Sequence, residues 1–492
     1  MLKEKNAFKG VIVATSIFGG VQFVKIIISL LRSKAIAFLI GPAGIGISGL
    51  FVTALNLITE LTSIGLNKSV VQEIAIAKEK KDQEKVSKTI GVLKKLVWLS
   101  IFVGCLLMII FSPLLSEISF DSSEFTYSFI FLSIALLFNQ LTRSNLAILQ
   151  GLRNLKGLSK ATVYGNLLGL FITLPLYYFF RIEAIVPAII IAHAIGFFIA
   201  LYFTRKVQYL PIKVSLKQAV YSGGNMMKLG AALSLGGIIS ILGMYLLQVY
   251  ISNYGGIDEV GFYIAGIVIL NTYVGAVFTA MATDYYPQLA AISSNISKIK
   301  DKVFEQAYIG VLLLVPIVVI FIAFAPFFIE LLYSEEFLST TKLVSWGILG
   351  MIFKMGSFSM GYIIIAKADT KLFVKTIIVF NVLLFSLNIV GYNLYGIEGL
   401  GISFLIHFII HFISLLIITK WRYNFTFKSE FYPIFIVANV ICILTLVFSN
   451  IDDSTLNLLV MIAMTIISVT FSFIYINKKV DIISFLKDKL RK

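Results

Sequence analysis

Apolar runs long enough to cross a bilayer follow one another along the chain, divided by short polar stretches. A helix needs about 20 apolar residues to span the hydrocarbon core. Fourteen or so segments qualify, at roughly 10–40, 44–66, 91–115, 125–150, 161–180, 184–204, 228–252, 259–287, 305–333, 341–366, 372–393, 397–419, 431–449 and 455–476. The first runs into Gly41-Pro42-Ala43-Gly44-Ile45-Gly46, a break predicted to turn the chain back into the membrane, since Pro lacks an N–H and Gly accepts unusual backbone angles. The pattern predicts an all-α polytopic membrane protein.

The polar stretches alternate in charge. One set holds Lys3, Lys5 and Lys9, then the basic residues of 68–95, 153–160, 205–228, 298–302, 367–375, 420–428 and 478–492, together 34 of the 41 Lys and Arg. Five more lie within spans, and Arg181 and Lys342 sit at the opposite edges. The other set is acidic or neutral, with Glu117, Asp121, Glu124, Asp258, Glu259, Glu335, Glu336, Asp452 and Asp453. Basic loops stay in the cytoplasm, so an even number of spans and two cytoplasmic termini in a bacterial inner membrane are expected. The stretch from Asn67 to about Ile90 reads as a surface helix on the cytoplasmic leaflet, with Lys78–Lys85 a solvated charge run.

Composition agrees. The chain is 59% hydrophobic and 13% charged, with mean hydropathy +0.95, where soluble domains are about 45–50% apolar and about 25% charged. A net charge of +16 is accounted for by topology and anionic membrane lipid, so nucleic acid is not a predicted partner. The N-terminus leads into a spanning segment without a small-residue cleavage site, so no cleavable signal peptide is expected. Cys105 and Cys442 both fall in apolar segments, which argues against a disulfide framework or metal cluster. Outer loops of about ten residues or fewer house no enzyme domain, and no nucleotide loop, catalytic triad or metal-ligand set is present. The chain is expected to be no enzyme and to hold no cofactor; energy coupling would fall to a H+ or Na+ gradient or to the substrate's own gradient.

A repeat is visible. An offset of 215 (261 − 46) sets Gly46 on Gly261 and Gln72-Glu73-Ile74-Ala75 on Pro287-Gln288-Leu289-Ala290. Two pseudo-symmetric parallel six-helix bundles follow, 1–210 and 211–425, with 426–492 adding two spans and a basic cytoplasmic tail.

The candidate chemistry lies inside the spans. The first carries Lys25, Arg32 and Lys34 without an acid, and a lone cation at a membrane helix centre costs about 2.5–3.5 kcal/mol. At helical spacing Gln22, Lys25, Ser29 and Arg32 share a face, with Lys34 on the opposite side and near enough to the end to snorkel. Asn56, Thr59, Glu60, Ser63 and Asn67 form a second stripe, Asn139, Arg143 and Gln150 a third, and Gly347, Gly350, Lys354, Ser357 and Gly361 a fourth. These stripes are expected to face a hydrated cavity in which Lys25, Arg32, Lys34, Glu60, Arg143 and Lys354 receive an anionic, phosphate-bearing substrate. The competing account makes them interhelical glue, for instance Glu60 with Lys25. Five basic residues against Glu60, Asp284 and Glu330 rule out complete pairing. His407 and His411 stand one turn apart without a general-base Glu or third ligand nearby, so core or cavity-lining roles are expected; Tyr285-Tyr286-Pro287 reads as an interfacial aromatic belt.

Lys25, Lys34 and the Gly41-Pro42-Ala43-Gly44 turn, with Leu149-Gln150-Gly151-Leu152-Arg153 after the fourth span and the two-bundle repeat, make the chain resemble the Wzx-type O-antigen and enterobacterial common antigen flippases. These belong to the multidrug/oligosaccharidyl-lipid/polysaccharide exporter superfamily. The resemblance implies a V-shaped helical bundle that moves undecaprenyl-diphosphate-linked oligosaccharide from the cytoplasmic to the periplasmic leaflet. It also implies polysaccharide polymerase or glycosyltransferase enzymes as candidate partners. A cation-coupled drug exporter of the same superfamily would call for an acidic site, which the acid-free first span does not offer. A membrane glycosyltransferase or polymerase would need a large outer loop. A flippase for the peptidoglycan precursor is a further alternative.

Overall fold

A computed structural model describes the backbone of residues 2–207, 212 and 214–480, and the side chains of 26–207, 212, 214–282 and 285–479. Among the described residues there is helix and no strand. The helices in chain order are α1 (Leu2–Ser63), α2 (Leu66–Glu79), α3 (Gln83–Ile110), α4 (Ser112–Phe120), α5 (Thr126–Gly151), α6 (Leu155–Phe180), α7 (Ile185–Arg205), α8 (Leu216–Ser222) and α9 (Gly224–Gly255). They continue with α10 (Ile257–Val268), α11 (Ala276–Ala291), α12 (Ile296–Ala323), α13 (Ala325–Leu332), α14 (Thr341–Ala366), α15 (Thr370–Tyr423), α16 (Phe431–Phe448) and α17 (Ser454–Val480).

Ten helical stretches of the described residues are long and apolar enough to cross a membrane, against about fourteen expected spans. Two physical features account for the difference. Ile26–Ser63, Leu155–Arg205 and Thr370–Tyr423 are double-length stretches of 38, 51 and 54 residues, each broken once near its middle. Helix α5, which carries Asn139, Gln140, Arg143 and Asn145, is not among the ten.

The breaks share one geometry. Gly41 (φ 64°, ψ −170°) interrupts α1 and Gly396 (φ 56°, ψ −137°) interrupts α15. Arg181 (φ 50°, ψ −127°) ends α6, and Gly256 (φ 90°, ψ 172°) ends α9. In chain order the first and third breaks are 215 residues apart (256 − 41), and so are the second and fourth (396 − 181). That is the offset of the sequence repeat. At the first break Pro42 cannot donate the helical bond and pushes its predecessor out of the α region, and Gly41 takes up the positive φ. Only Arg181 among the four is not glycine, and it pairs its strained backbone with a hydrogen bond from its guanidinium to the Leu39 carbonyl at 2.9 Å.

The chain divides into two compact units, Leu31–Gly261 and Met1–Leu30 with Phe262–Lys492. In the first, α2 lays Leu66, Val70, Ile74 and Ala77 into a core with Val86, Ile90 and Leu93 of α3, Ile148 of α5 and Met226 of α9. The 67–90 stretch is therefore not a helix lying wholly on a surface. It is two helices meeting at Lys81, with one face of α2 buried, while residues 78–85 are exposed as a charge run should be. Close backbone crossings complete this unit: a Cβ on Gly46 would stand 2.2 Å from the Ile257 carbonyl oxygen.

In the second unit α12 is central, with Val303, Ala307, Val311, Leu314, Val315 and Val318 fully buried. Helices α14, α16 and α17 all pack on it, so the two appended C-terminal helices cover a flank that would otherwise be bare. Helix α15 doubles back at Gly396. Ser403 Oγ donates to the Leu387 carbonyl at 2.6 Å beside the turn. At the far ends Arg422 Nε and the Tyr423 hydroxyl both donate to Asp369 Oδ2, at 3.0 and 3.1 Å. The Arg422 hydrogen bond, aided by the Leu372 backbone N–H, holds the Asp369 carboxyl below its ordinary range. Tyr285 lies outside the expected aromatic belt: it is fully buried and its hydroxyl donates to the Ser359 carbonyl at 2.7 Å.

Gly46→Ala should lower the unfolding free energy in detergent by about 1–3 kcal/mol, because the added methyl meets rigid backbone and the crossing must open. Chemical unfolding of the purified variant measures this, and an unchanged midpoint would show that the crossing is loose.

Candidate functional site

In the unit Leu31–Gly261 the polar stripes of α1 and α5 meet at Arg143. Its Nη1 donates to Glu60 Oε1 at 2.5 Å, its Nη2 to Asn56 Oδ1 at 3.0 Å, and its Nε to Asn139 Oδ1 at 2.9 Å. Asn139 is one turn earlier on the same helix, whereas Asn56 and Glu60 stand one turn apart on α1, so the guanidinium fork bridges the two helices. Three of its five N–H donors are thereby engaged among the described residues. Glu60 Oε2 also faces Lys68 Nζ at 3.8 Å. The cluster Arg143, Lys68 and Glu60 keeps a net positive charge after pairing. Glu60 thus acts as a positioning acid for Arg143; its expected alternative partner, Lys25, lies outside the residues whose side chains are described.

Arg32 is partly buried, and its charge and that of Arg143 both act on His193 of α7, while Arg32 also acts on Tyr177 of α6. Two of the expected cations therefore lie within electrostatic reach of one partly buried imidazole. Nothing in the sequence reading singled out His193 for this. Lys34 is partly buried and engaged with neighbouring groups. Lys25 lies outside the residues whose side chains are described.

The other unit repeats the theme with a different cation. Lys354 of α14 donates from Nζ to Asn271 Oδ1 at 3.0 Å. The ammonium stands 5.3, 5.6 and 5.2 Å from the ring centroids of Phe278, Phe404 and Phe408, positions from which the ring faces favour a cation. Among the described residues no carboxylate pairs with it. Asn271 lies in a π-helical stretch, Ile269–Val274, between α10 and α11, the kind of local widening found at functional sites. Asn271 is also the repeat equivalent of Asn56 (271 − 56 = 215), and Lys354 is that of Asn139 (354 − 139 = 215). Each unit therefore holds a cation against an amide oxygen from the same repeat position. Sequence reading missed Asn271, although the offset alone would have placed it on Asn56.

The cavities differ in sign. One of about 680 Å³ lies between the starts of α5 and α7, with Glu124 and Glu183 among its lining and no basic residue; it does not suit an anion. Another of about 400 Å³ lies between α14 and the two halves of α15, with His407 and His411 in its wall and no carboxylate. The expected cavity-lining role of this histidine pair is what the structure displays.

Residues 35–342 match the model of a family described as polysaccharide biosynthesis protein. The chain is 21% identical over 364 residues to the lipid III flippase of Escherichia coli strain K12, covering 71% of this chain and 84% of that protein. A Shigella flexneri protein described as a candidate O-antigen transporter is 22% identical over 308 residues, covering 61% of this chain and 71% of the relative. Among solved structures, an inward-facing multidrug resistance MATE family transporter of the MOP superfamily aligns with a TM-score of 0.67 at 14% identity, covering 82% of this chain and 94% of that one. The lipid II flippase MurJ in an inward closed conformation aligns at 0.64 and 16%, covering 96% and 99%. At these identities the structural matches show the fold alone.

Arg143→Lys keeps the charge but cannot meet three acceptors with a planar fork. It is expected to lower the unfolding free energy by about 1–3 kcal/mol. A double-mutant cycle with Glu60→Gln should return a coupling of about 0.5–3 kcal/mol; a coupling of zero would show that the contact does no energetic work.

Proposed function

The chain belongs to the polysaccharide biosynthesis protein family, and we propose on that footing that it is a flippase for a polyprenyl-diphosphate-linked oligosaccharide. It would carry the repeat unit of a surface glycan, such as an O-antigen, from the cytoplasmic to the periplasmic leaflet of the inner membrane by alternating access. The observation that carries this reading is Lys354, a cation on an apolar helix held by an amide oxygen and ring faces and not by a carboxylate. Such a charge is costly to keep in a membrane helix, and a diphosphate is the substrate group that would repay the cost. Within the Leu31–Gly261 unit Arg32 and Arg143 would offer positive charge of their own, with Glu60 keeping Arg143 in place. The names of the two flippases and of the candidate O-antigen transporter support the same chemistry.

A multidrug exporter shares the fold but needs an acidic site for cationic drugs. Glu60, the acid at the centre of the Leu31–Gly261 cluster, is already committed to Arg143 and Lys68. Energy coupling through a H+ or Na+ gradient, and docking of a polymerase or glycosyltransferase on the basic loops, belong to the same proposal.

Deleting the gene should remove a surface glycan without changing drug susceptibility, and Lys354→Ala should reproduce the loss at normal protein level. Intact glycan in the deletion strain, or altered drug susceptibility with intact glycan, overturns the flippase. Reporter fusions within 67–88 and at Lys478 should both read cytoplasmic; a periplasmic signal at either refutes the topology.

A further inference from the structure

His407 and His411 stand one turn apart on the second half of α15 with their rings nearly parallel, 11° between planes and 5.8 Å between centroids. His407 is buried, 5% exposed. The Nδ1 atom of each ring is buried without a hydrogen-bond partner. A buried polar atom left unpaired is unfavourable and uncommon, and two of them on one cavity wall indicate that a ligand supplies the partners.

The chemistry of the surroundings selects that ligand. The titratable or charged groups facing the pair are Lys354 and Tyr362 from α14, with none from the first half of α15 among the lining residues. Lys354 reaches the pair through a shared ring: its Nζ is 5.2 Å from the Phe408 centroid, which lies 4.9 Å from that of His407. Imidazole N–H groups in a wall without a carboxylate, with the Lys354 ammonium behind the Phe408 ring, call for an acceptor that brings negative charge. A metal cation is opposed by the ammonium and has no third ligand here. The remaining wall is mostly apolar, with Phe358, Ile365, Phe373, Ile377, Phe380 and Leu384 beside Ser357, Thr376 and Asn381. The cavity of about 400 Å³ falls within the size range of small-molecule sites.

An anionic head beside an apolar wall describes an isoprenoid phosphate. We propose that the cavity between α14 and the two halves of α15 binds the isoprenoid diphosphate portion of the substrate. Phosphate oxygens accept N–H bonds from His407 and His411 next to Lys354, and the first isoprene units lie along the Phe373–Leu384 face. The assignment rests on the flippase reading and adds to it the part of the substrate that this cavity recognises. It also gives the Asp369–Arg422 tie a task, since that contact closes the far end of the α15 hairpin whose two halves form the cavity walls.

Binding of radiolabelled farnesyl diphosphate to the purified full-length chain tests this. The paired variant His407→Leu/His411→Leu should weaken binding by at least about tenfold, roughly 1.4 kcal/mol. The pair His407→Asn/His411→Asn, which keeps an amide N–H near each Nδ1, should recover most of it. Ile377→Trp, which fills the cavity from the opposite wall, should weaken binding without touching the histidines, and stands as the measure if the leucine pair does not fold. Farnesol, inorganic diphosphate and phosphatidylglycerol should each compete poorly. Unchanged affinity in the leucine and tryptophan variants, or competition by phosphatidylglycerol as strong as by unlabelled farnesyl diphosphate, overturns the site. Loss of glycan in the deletion strain together with unchanged binding in these variants leaves the flippase standing and removes this cavity from it. Intact glycan in that strain removes the flippase reading whatever the probe does.

Discussion

A guanidinium among membrane helices is tolerable only when most of its donors are answered, and Arg143 has three of them answered by two helices. Glu60 and Asn56 sit one turn apart on the second half of α1, so the fork sets both the register and the rotation of that helix against α5. Rotation of either helix would break two hydrogen bonds at once. The fork also decides what Glu60 can do. A carboxylate bound to a guanidinium and facing Lys68 is not available to receive a cationic substrate, and the local field stays positive.

The two units show that this is one solution used twice with different strength. Asn56 and Asn271 occupy the same repeat position and each gives its amide oxygen to a basic side chain on a later helix. Where the cation is Arg, a carboxylate joins and the helices are fastened. Where it is Lys, phenyl faces replace the carboxylate, and the charge is held without being neutralised. An ammonium over aromatic rings is easily drawn toward a stronger acceptor, whereas a fork in a carboxylate is not. The division of labour between a fastening cation and a receptive one follows from that difference.

Much of this was legible along the chain. The spanning segments were readable because apolar runs of that length have few other uses, and the Gly41 break was readable because Pro42 follows it. The 215-residue offset was visible at Gly46 and Gly261, and the same offset returns in the backbone angles of the four breaks. Other features depended on partners far away in sequence. The burial of one face of α2, the commitment of Glu60 to Arg143 and the burial of Tyr285 are set by neighbours from other helices, which periodicity does not name. Asn271 was hidden by a π-helical stretch that shifts residues off a simple helical face. The histidines read as core or cavity lining, and only their empty Nδ1 positions turn that bland role into a specific one.

The four breaks have a consequence for how such a chain is made. Gly41, Gly256 and Gly396 each join two helices through a single residue of positive φ, and Arg181 leads from α6 into α7 through one 3-10 turn. Where α6 packs on α7 and where α15 doubles back at Gly396, the two helices so joined can leave the ribosome and enter the bilayer as one hairpin. Almost no hydrophilic chain has to be drawn across the hydrocarbon at these points.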